Sequence, residues 1–362
     1  MITLASLIER FEADCLARYQ LLPSHRQALA AMKRCRTSMA PRMLAQCSGC
    51  DEQLTVPHSC GHRSCPHCQQ FESQRWLERQ TQRLVAGDYF LVTFTLPAQL
   101  RPLAWQHQRV VYDLLMDCAW QTLRTFSQNH RHLRGCPGAI AVLHTHARDL
   151  HFHPHVHLVI PGAALDAQRR LWRTLPGKAK FLFDHKALAK VFRAKVLSAL
   201  HTHGFAAPAV PMKWVVDCKC VGDGRKALVY LGRYLYRGVI QEHDIVGCDG
   251  ANVTYRWRDG RTGKTQIRTV GGAAFLWLVL RHVLPKGFRR ARNHGFLHPN
   301  SKRLIALLRL LVLRTPSPEQ PTQRPTLVCR CCGAPMTILR RCMPPVVGEP
   351  PGAASKAQDL SK

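Results

Sequence analysis

Residues 150–160 read LHFHPHVHLVI, a run in which four histidines alternate with apolar residues and a proline. Successive side chains of a β-strand point to opposite faces, so an extended segment places the histidines on one face and the apolar side chains on the other. Pro154 cannot donate a ladder hydrogen bond, which leaves His155 and His157 as the best-ordered pair. The pattern predicts a strand that carries two metal-ligating histidines, with a pair of hydrogen-bonded core histidines as the alternative.

Two imidazoles from one strand leave several coordination positions of a metal ion open. Open positions suit a catalytic ion, which binds and polarises phosphate oxygens. We expect Mg²⁺ or Mn²⁺ at this place, with further oxygen ligands. The third protein ligand is not identified by the pattern; Asp149 and His153 share the strand parity of the histidine pair and are the candidates.

Residues 226–238 read KALVYLGRYLYRG and are typical of an amphipathic helix. Tyr230 and Tyr234 are four residues apart and therefore lie on one helix face. A phenol has a pKa of about 10 and is a poor nucleophile at neutral pH, but a nearby divalent cation lowers the barrier to its attack on phosphate. We predict that both tyrosines are nucleophiles and that Arg233 and Arg237 hold flanking phosphates. The alternative is two half-buried structural tyrosines.

The charge of the chain indicates a polyanionic partner. Among its 362 residues, 52 Lys and Arg stand against 22 Asp and Glu, a net charge of +30. Such a balance is typical of nucleic-acid-binding proteins rather than of a merely basic enzyme or a membrane-surface protein. The apolar stretch at 304–313 is interrupted by Arg309 and is too short to span a bilayer. We expect a cytoplasmic protein without a membrane anchor.

Sixteen cysteines include closely spaced pairs that favour metal binding over disulfides. Cys47 and Cys50 form one C-x2-C pair, and Cys65 and Cys68 form another after 14 intervening residues. This spacing predicts one structural Zn²⁺ site, because four protein ligands leave no open position for a substrate. Neighbouring side chains could replace one ligand or form a second site: His58, Cys60, His62 and His67.

The carboxy-terminal sequence Cys329-Arg-Cys-Cys332 is a weaker metal candidate, and whether it binds metal is left open. We expect a helical, zinc-binding and DNA-contacting domain at 1–86, a catalytic domain at 87–313, and a partly disordered linker and cysteine-containing tail at 314–362. Strand and helix patterns interleave without a regular β–α–β alternation, which favours the α+β class. Lys286, Arg289 and Arg290 follow a predicted helix and are candidate phosphate-binding residues, with a solvated basic face as the alternative.

These motifs together resemble one family. His155-Val156-His157 resembles the HUH motif, and Tyr230-x3-Tyr234 resembles the tyrosine pair of the two-tyrosine HUH enzymes. The segments CSGC…SCGHRSCPHCQ, FLFDHKALAKVFRAKV, YLGRYLYRG and HVLPKGFRRARNHGFL resemble IS91-family transposases over about residues 30–310.

The resemblance implies a ferredoxin-like antiparallel sheet flanked by helices, the HUH endonuclease type, with a small amino-terminal zinc-binding domain. It implies metal ligation by His155 and His157, nucleophilic tyrosines, and zinc ligation by the cysteine pairs at 47/50 and 65/68. It also implies rolling-circle transposition in a bacterial cytoplasm, in which a tyrosine attacks single-stranded DNA at a transposon end and forms a 5′-phosphotyrosine. The alternatives are a plasmid replication initiator or relaxase of the same chemistry, a zinc-dependent DNA-binding regulator without catalysis, and a metal hydrolase.

Overall fold

The computed structural model describes residues 2–177, 179–236, 238–260, 262–312 and 327–344. Arg237 and the expected proline-rich linker lie outside these described residues, as does the end of the expected tail. None of the helices within the described ranges is long and apolar enough to cross a membrane.

In these ranges the helices are α1 (Leu4–Arg18), α2 (Pro23–Arg34), α3 (Gln70–Thr81), α4 (Arg101–Gln106), α5 (Gln108–Asn129), α6 (His185–Thr202), α7 (Arg225–Tyr236), α8 (Gly272–Leu280) and α9 (Lys302–Val312). The strands are β1 (Arg42–Cys47), β2 (Gln53–Pro57), β3 (Tyr89–Thr95), β4 (Cys136–His146), β5 (Phe152–Pro161), β6 (Ala163–Asp166), β7 (Leu171–Thr174), β8 (Val216–Cys220), β9 (Ile245–Cys248), β10 (Asn252–Arg258), β11 (Thr265–Gly271), β12 (Ala291–Gly295) and β13 (Met336–Met343).

The largest sheet has the strand order β7-β6-β4-β5-β3-β8, and β12 pairs with β4. Every pairing in this sheet is antiparallel. The predicted α+β class and the antiparallel sheet flanked by helices are therefore confirmed at this coarse level. The predicted histidine strand corresponds to β5, and the predicted tyrosine helix corresponds to α7.

Both faces of this sheet are covered by helices. On one face, α5 and α6 pack on side chains of β3, β4 and β5, with Phe94 of β3 against Phe192 of α6. On the other face, Leu228 and Leu231 of α7 pack with Val142 of β4, together with α3 and α9. Because strand residues alternate between faces, the odd-numbered histidines of β5 lie on the α7 side while Val156 enters the other core.

A second core joins the amino-terminal helices to the segment that follows α7. Here α1 and α2 pack against α8 and the three-stranded sheet β11-β10-β9. The contact is close, since a Cβ on Gly272 would lie 2.3 Å from the Phe11 ring. Strands β10 and β11 pair in an antiparallel hairpin.

A third sheet brings distant parts of the sequence together. It has the order β13-β1-β2, and both pairings are antiparallel. Ala45 of β1 lies opposite Ile338 of β13. The sequence patterns did not predict this pairing. It joins β13, from the expected carboxy-terminal tail, to β1 of the amino-terminal region.

Substitution of Gly295, the last residue of β12, tests the packing of β12 against β4 in the large sheet. Its φ is +59°, and an added Cβ would lie 1.7 Å from the carbonyl oxygen of Pro137. We expect Gly295→Ala to lower the free energy of unfolding by at least about 3 kcal/mol, because the backbone of β12 must move away from β4. Gly177→Ala is the matched control, since Gly177 has φ +64° and nothing within 4 Å of its added Cβ. Its expected cost is about 1–2 kcal/mol, for the left-handed backbone alone. Urea unfolding measures both variants; equal losses would contradict the packing described here.

Candidate active site and cysteine clusters

Three histidines from two adjacent strands converge on the α7 side of the large sheet. The register of β4 and β5 places His144 directly opposite His155, and Val142 opposite His157. One ring nitrogen from each of His144, His155 and His157 lies within 4.8 Å of the others. We call these three residues the histidine triad.

Hydrogen bonds orient two rings of the triad and leave nitrogens available for a ligand. His155 Nδ1 donates to the carbonyl oxygen of His153 at 2.7 Å, and His157 Nδ1 lies 2.8 Å from Thr93 Oγ1. Both ring nitrogens of His144 and Nε2 of His157 are buried and have no hydrogen-bond partner among the residues that the structure describes. Unpartnered buried polar atoms are costly, so this arrangement fits a site that a metal ion completes.

The electrostatics of the triad favour the neutral imidazoles that metal binding requires. Burial lowers the pKa of His144 and His157 well below the ordinary value. The charge of His157 and His155 lowers that of His144 further, and the charge of His155 lowers that of His157. Burial also lowers the pKa of His155 to about 4. These shifts all favour the neutral form of the imidazole, in which one ring nitrogen carries a proton and the other can bind a metal.

The candidates named from strand parity for the third ligand position have other partners. Asp149 Oδ2 lies 2.6 Å from His151 Nδ1, and His151 precedes the first residue of β5. His153 Nδ1 accepts a hydrogen bond from Arg101 at 2.7 Å. The third imidazole beside His155 and His157 belongs to His144, on the neighbouring strand. Its signal in the sequence is His144-Thr145-His146, a second H-x-H alternation in the neighbouring strand.

The two tyrosines of α7 face the triad but differ in exposure. The ring centroid of Tyr230 lies 5.8 Å from that of His157 and 6.0 Å from that of His144, and the residue is 41% exposed. Burial raises the pKa of its phenol, and Arg148 opposes that shift. Tyr230 is thus accessible and lies beside two of the three histidines.

Tyr234 is held in place. Its ring stacks on His144 with centroids 3.3 Å apart and on His146 at 4.5 Å, and its hydroxyl donates to the carbonyl oxygen of His146 at 2.7 Å. The guanidinium carbon of Arg290 lies 5.1 Å from the centre of the same ring. Burial raises the pKa of this phenol strongly. Tyr236 points elsewhere, towards Trp76 of α3.

Three of the candidate phosphate-binding residues, Arg233, Arg289 and Arg290, line two neighbouring cavities. The tyrosines and the triad open into a cavity of about 740 Å³ that is also lined by Arg148, Arg233 and Arg258. A second cavity, of about 880 Å³, is lined by aromatic residues and many arginines, which we call the basic cleft. Its arginines are Arg63, Arg79, Arg83, Arg109, Arg289, Arg290 and Arg292.

Arg290 lies between these two cavities. It lines the basic cleft, while its guanidinium packs on Tyr234 and its Nε donates to the carbonyl oxygen of Leu143. Its Nη2 is buried without a partner. Lys286 and Arg289 are exposed. The expected basic face is therefore divided between solvent-exposed cations and one half-buried arginine at the tyrosine site.

The cysteines form two clusters rather than one. Cys65 and Cys68 lie with Cys35 and Cys60, whereas the other pair lies with two cysteines of the carboxy-terminal hairpin. The pairs that we expected to share one ion therefore belong to different sites, and each takes its remaining two thiols from elsewhere. Cys60, one of the side chains considered as a replacement zinc ligand, lies in the cluster with Cys65 and Cys68. Cys35 lies in the same cluster, but the sequence did not indicate it, because it has no neighbouring cysteine at C-x2-C spacing.

The cluster of Cys35, Cys60, Cys65 and Cys68 fits a tetrahedral zinc ion. Its closest Sγ–Sγ distances are 3.2, 3.5 and 3.6 Å. These are too long for a disulfide, and they approach the edge of about 3.8 Å that a tetrahedron with 2.3 Å Zn–S bonds requires. Hydrogen bonds from Cys60 and Cys65 lower the pKa of Cys35 to about 7, which favours the thiolate form.

This cluster also supports the tyrosine helix. Gly238, just after α7, lies so close to the turn at Ser64 and Pro66 that an added Cβ would be 3.2 Å from each. Arg63, from the same turn, donates to the carbonyl oxygens of Leu284, Pro285 and Phe288. The cysteine turn thus contacts both the end of α7 and the rim of the basic cleft.

Comparison with known proteins identifies the class. Residues 138–304 match the family described as "Putative transposase", and residues 7–96 match "Transposase zinc-binding domain". "Putative transposase y4qJ" of Sinorhizobium fredii is 32% identical over 348 residues, which cover 89% of this chain and 87% of the relative. "Transposase for insertion sequence element IS801" of Pseudomonas savastanoi pv. phaseolicola is 28% identical over 296 residues, 75% of this chain and 70% of the relative. No solved structure matches significantly.

These matches define a transposase with its own zinc-binding domain. The chain belongs to the IS91 family of transposases, as the motifs at residues 47–68, 155–157 and 230–234 indicated.

Substitution of His144 tests whether the histidine triad binds a metal ion. We expect His144→Ala to weaken Mn²⁺ binding about 100-fold, because one of three imidazole ligands is lost. His153→Ala is the matched control and should leave the affinity within about twofold, since Nδ1 of His153 is engaged by Arg101 and its ring, 5.1 Å from that of His155, is not part of the triad. Isothermal titration calorimetry measures both variants. Equal affinities for wild type and His144→Ala would show that His144 is not a ligand.

Proposed function

We propose that this transposase nicks and rejoins single-stranded DNA at the ends of its element through a 5′-phosphotyrosine intermediate, and so drives rolling-circle transposition. The observation that carries the proposal is the accessible phenol of Tyr230 beside His157 and His144, two buried imidazoles with unpartnered ring nitrogens. A nucleophile next to a preformed cation site is the arrangement that phosphodiester cleavage by tyrosine requires.

The residues present fit a catalytic divalent cation. His144, His155 and His157 would hold it, and the rest of its coordination shell would be open to phosphate oxygens. Three imidazoles fit a transition ion such as Mn²⁺ better than Mg²⁺, which prefers oxygen ligands. When bound, the ion supplies positive charge that stabilises the negative charge developing on the attacked phosphate.

Tyr230 is proposed as the first nucleophile. Its oxygen forms a bond to the phosphorus of the scissile phosphodiester while the bond from phosphorus to the 3′ oxygen breaks. The departing 3′ oxygen takes a proton from water and becomes a 3′-hydroxyl, while the phenol gives its own proton to water. The downstream strand stays attached to Tyr230 through its 5′ phosphate. Attack by a 3′-hydroxyl on this phosphotyrosine rejoins the DNA and restores the phenol.

Tyr234 has a different role in this arrangement. Its hydroxyl is engaged by the carbonyl oxygen of His146, and its ring covers His144. It holds His144 in position during the first cleavage, and it becomes a second nucleophile only after that hydrogen bond breaks. The proposed order of action, Tyr230 before Tyr234, follows from this difference.

The DNA strand is proposed to enter through the basic cleft. Arginines there can neutralise phosphates, and Trp76, Tyr236 and Phe288 offer rings for stacking of bases. Arg290 connects the cleft to the tyrosine site, where its buried and unpartnered Nη2 is available to a phosphate oxygen. A plasmid initiator or relaxase would use the same chemistry, but membership of the transposase family favours element ends as the substrate.

Zinc in the cluster of Cys35, Cys60, Cys65 and Cys68 is proposed to be structural. Four thiolates leave no position for a substrate, and the turn that carries Cys65 contacts the end of α7. A regulator without catalysis would also use such a cluster. It would leave the histidine triad and the two tyrosines without a role.

The nucleophile assignment is tested by trapping the covalent adduct. Full-length protein is incubated with Mn²⁺ and a single-stranded oligonucleotide of the element end, labelled on the 3′ side of the cleavage site. We expect Tyr230→Phe to abolish the labelled band on a denaturing gel, because no oxygen remains to attack. Tyr234→Phe should retain the adduct, since the ring and its stack on His144 persist.

Tyr236→Phe is the matched control, because Tyr236 lies on the same helix but contacts Trp76. It should form the adduct as wild type does. An adduct in Tyr230→Phe that is lost in Tyr234→Phe would reverse the proposed order. An adduct that persists when Tyr230→Phe and Tyr234→Phe are combined would rule out both tyrosines as nucleophiles. Cleavage without any adduct would rule out covalent tyrosine chemistry.

The basic cleft is tested by the salt dependence of DNA binding. We expect Arg289→Ala to reduce the slope of log K against log salt by about 0.7 for a single strand, because one phosphate contact is lost. Arg124→Ala is the control: this arginine of α5 is exposed and lines neither cavity. Fluorescence anisotropy at several salt concentrations measures the slope. An equal reduction in both variants would argue against the cleft as the binding path.

A further inference from the structure

Cys47 and Cys50 lie with Cys329 and Cys332 although nearly the whole chain separates the two pairs. We propose that these four residues form a second structural zinc site, which closes β1, β2 and β13 into a single zinc ribbon. The large sheet and its helices are then an insertion between the two halves of that ribbon. This site is distinct from the cluster of Cys35, and its second half lies outside the matched zinc-binding domain.

The sulfur positions fit a metal ion and not disulfides. Cys47 Sγ lies 3.4 Å from Cys332 Sγ, and Cys50 Sγ lies 3.6 Å from Cys329 Sγ. All four sulfurs lie within 4.8 Å of one another. A disulfide requires about 2.05 Å, whereas a tetrahedron of thiolates around zinc requires about 3.8 Å between sulfurs.

The two C-x2-C turns have the same backbone hydrogen bonds. The Cys47 N–H donates to the Glu52 carbonyl oxygen at 2.8 Å, and the Cys329 N–H donates to that of Ala334 at 2.9 Å, five residues on in each case. The N–H two residues after the first cysteine donates to its sulfur in both turns, at 3.3 Å from Gly49 and at 3.4 Å from Cys331.

The fourth residue after the first cysteine has a left-handed backbone in both turns. These residues are Asp51, with φ +56°, and Gly333, with φ +71°. Amide donors to sulfur stabilise the thiolate that zinc requires. Two turns of matching geometry that face each other across four sulfurs form the ligand arrangement of one tetrahedral ion.

The ribbon has little else to stabilise it. Its core contains four buried residues, and two of them are ligands: Ala45, Cys47, Cys329 and Met336. Ser48 adds a clamp, since its N–H and its hydroxyl both donate to the Pro335 carbonyl oxygen. A core of this size does not fold by apolar burial alone, and small domains of this kind depend on a metal.

The number of zinc ions in the purified full chain tests the proposal. We expect inductively coupled plasma mass spectrometry to find two zinc ions per wild-type chain and one in the double variant Cys329→Ser with Cys332→Ser. Cys331→Ser is the matched control, because its exposed thiol is adjacent in sequence but lies outside the cluster, and it should keep two. Cys332→His should also keep two, since histidine can replace one thiolate ligand.

Alkylation of the wild-type chain gives a measurement that does not depend on a variant folding. Iodoacetamide should modify Cys331 and Cys342 readily, and Cys329 and Cys332 only after a chelator removes the metal. One zinc ion in the wild type, two in the double variant, or equal alkylation of Cys331 and Cys332 before chelation would overturn the proposal. Neither measurement involves DNA cleavage, so its outcome is separate from that of the nucleophile test.

Discussion

The antiparallel register of β4 and β5 is the constraint on which the candidate site depends. It sets His144 opposite His155, and the alternation of β5 then brings His157 to the same face. A shift of one residue in either strand would place that strand's histidines on the opposite face of the sheet, in the apolar core formed with α5 and α6. The register is fixed from both sides, because apolar residues of the two strands fill that core and those facing α7 fill the other.

The tyrosine helix extends this constraint to Tyr230, the proposed nucleophile. Leu228 and Leu231 of α7 pack on the sheet, and that packing directs the Tyr230–Tyr234 face over the histidines. Contacts at the end of α7 come from the cysteine turn at Ser64 and Pro66. The zinc-binding domain therefore supports α7, the helix that carries the two tyrosines. Through this direct contact it helps to position the candidate active site.

Local patterns predicted much of this arrangement, and long-range pairings did not follow from them. The alternation of residues 150–160 and the four-residue spacing of Tyr230 and Tyr234 are properties of single elements, and the structure has the expected strand and helix. His144 depends on which strand pairs with β5, which no single segment encodes. Spacing alone joined the C-x2-C pairs nearest in sequence. In the fold, Cys50 lies beside Cys329, 279 residues away, and Cys47 lies beside Cys332, 285 residues away. Arg290 stands in a run of basic residues for which phosphate binding and a solvated basic face were both open, and the structure places its guanidinium over the ring of Tyr234.

The pairing of β1 with β13 has a consequence for the timing of folding during translation. β1 leaves the ribosome early, while its partner strand is made only after the large sheet. At a synthesis rate of about 5–20 residues per second, the edge of β1 waits roughly 15–60 s for that partner. During this interval the large sheet can form, but the nascent chain still has an open edge and two thiols without their counterparts. The sheet of β1, β2 and β13 is thus completed late in synthesis. A chain released by premature termination would lack β13, and this sheet would remain incomplete.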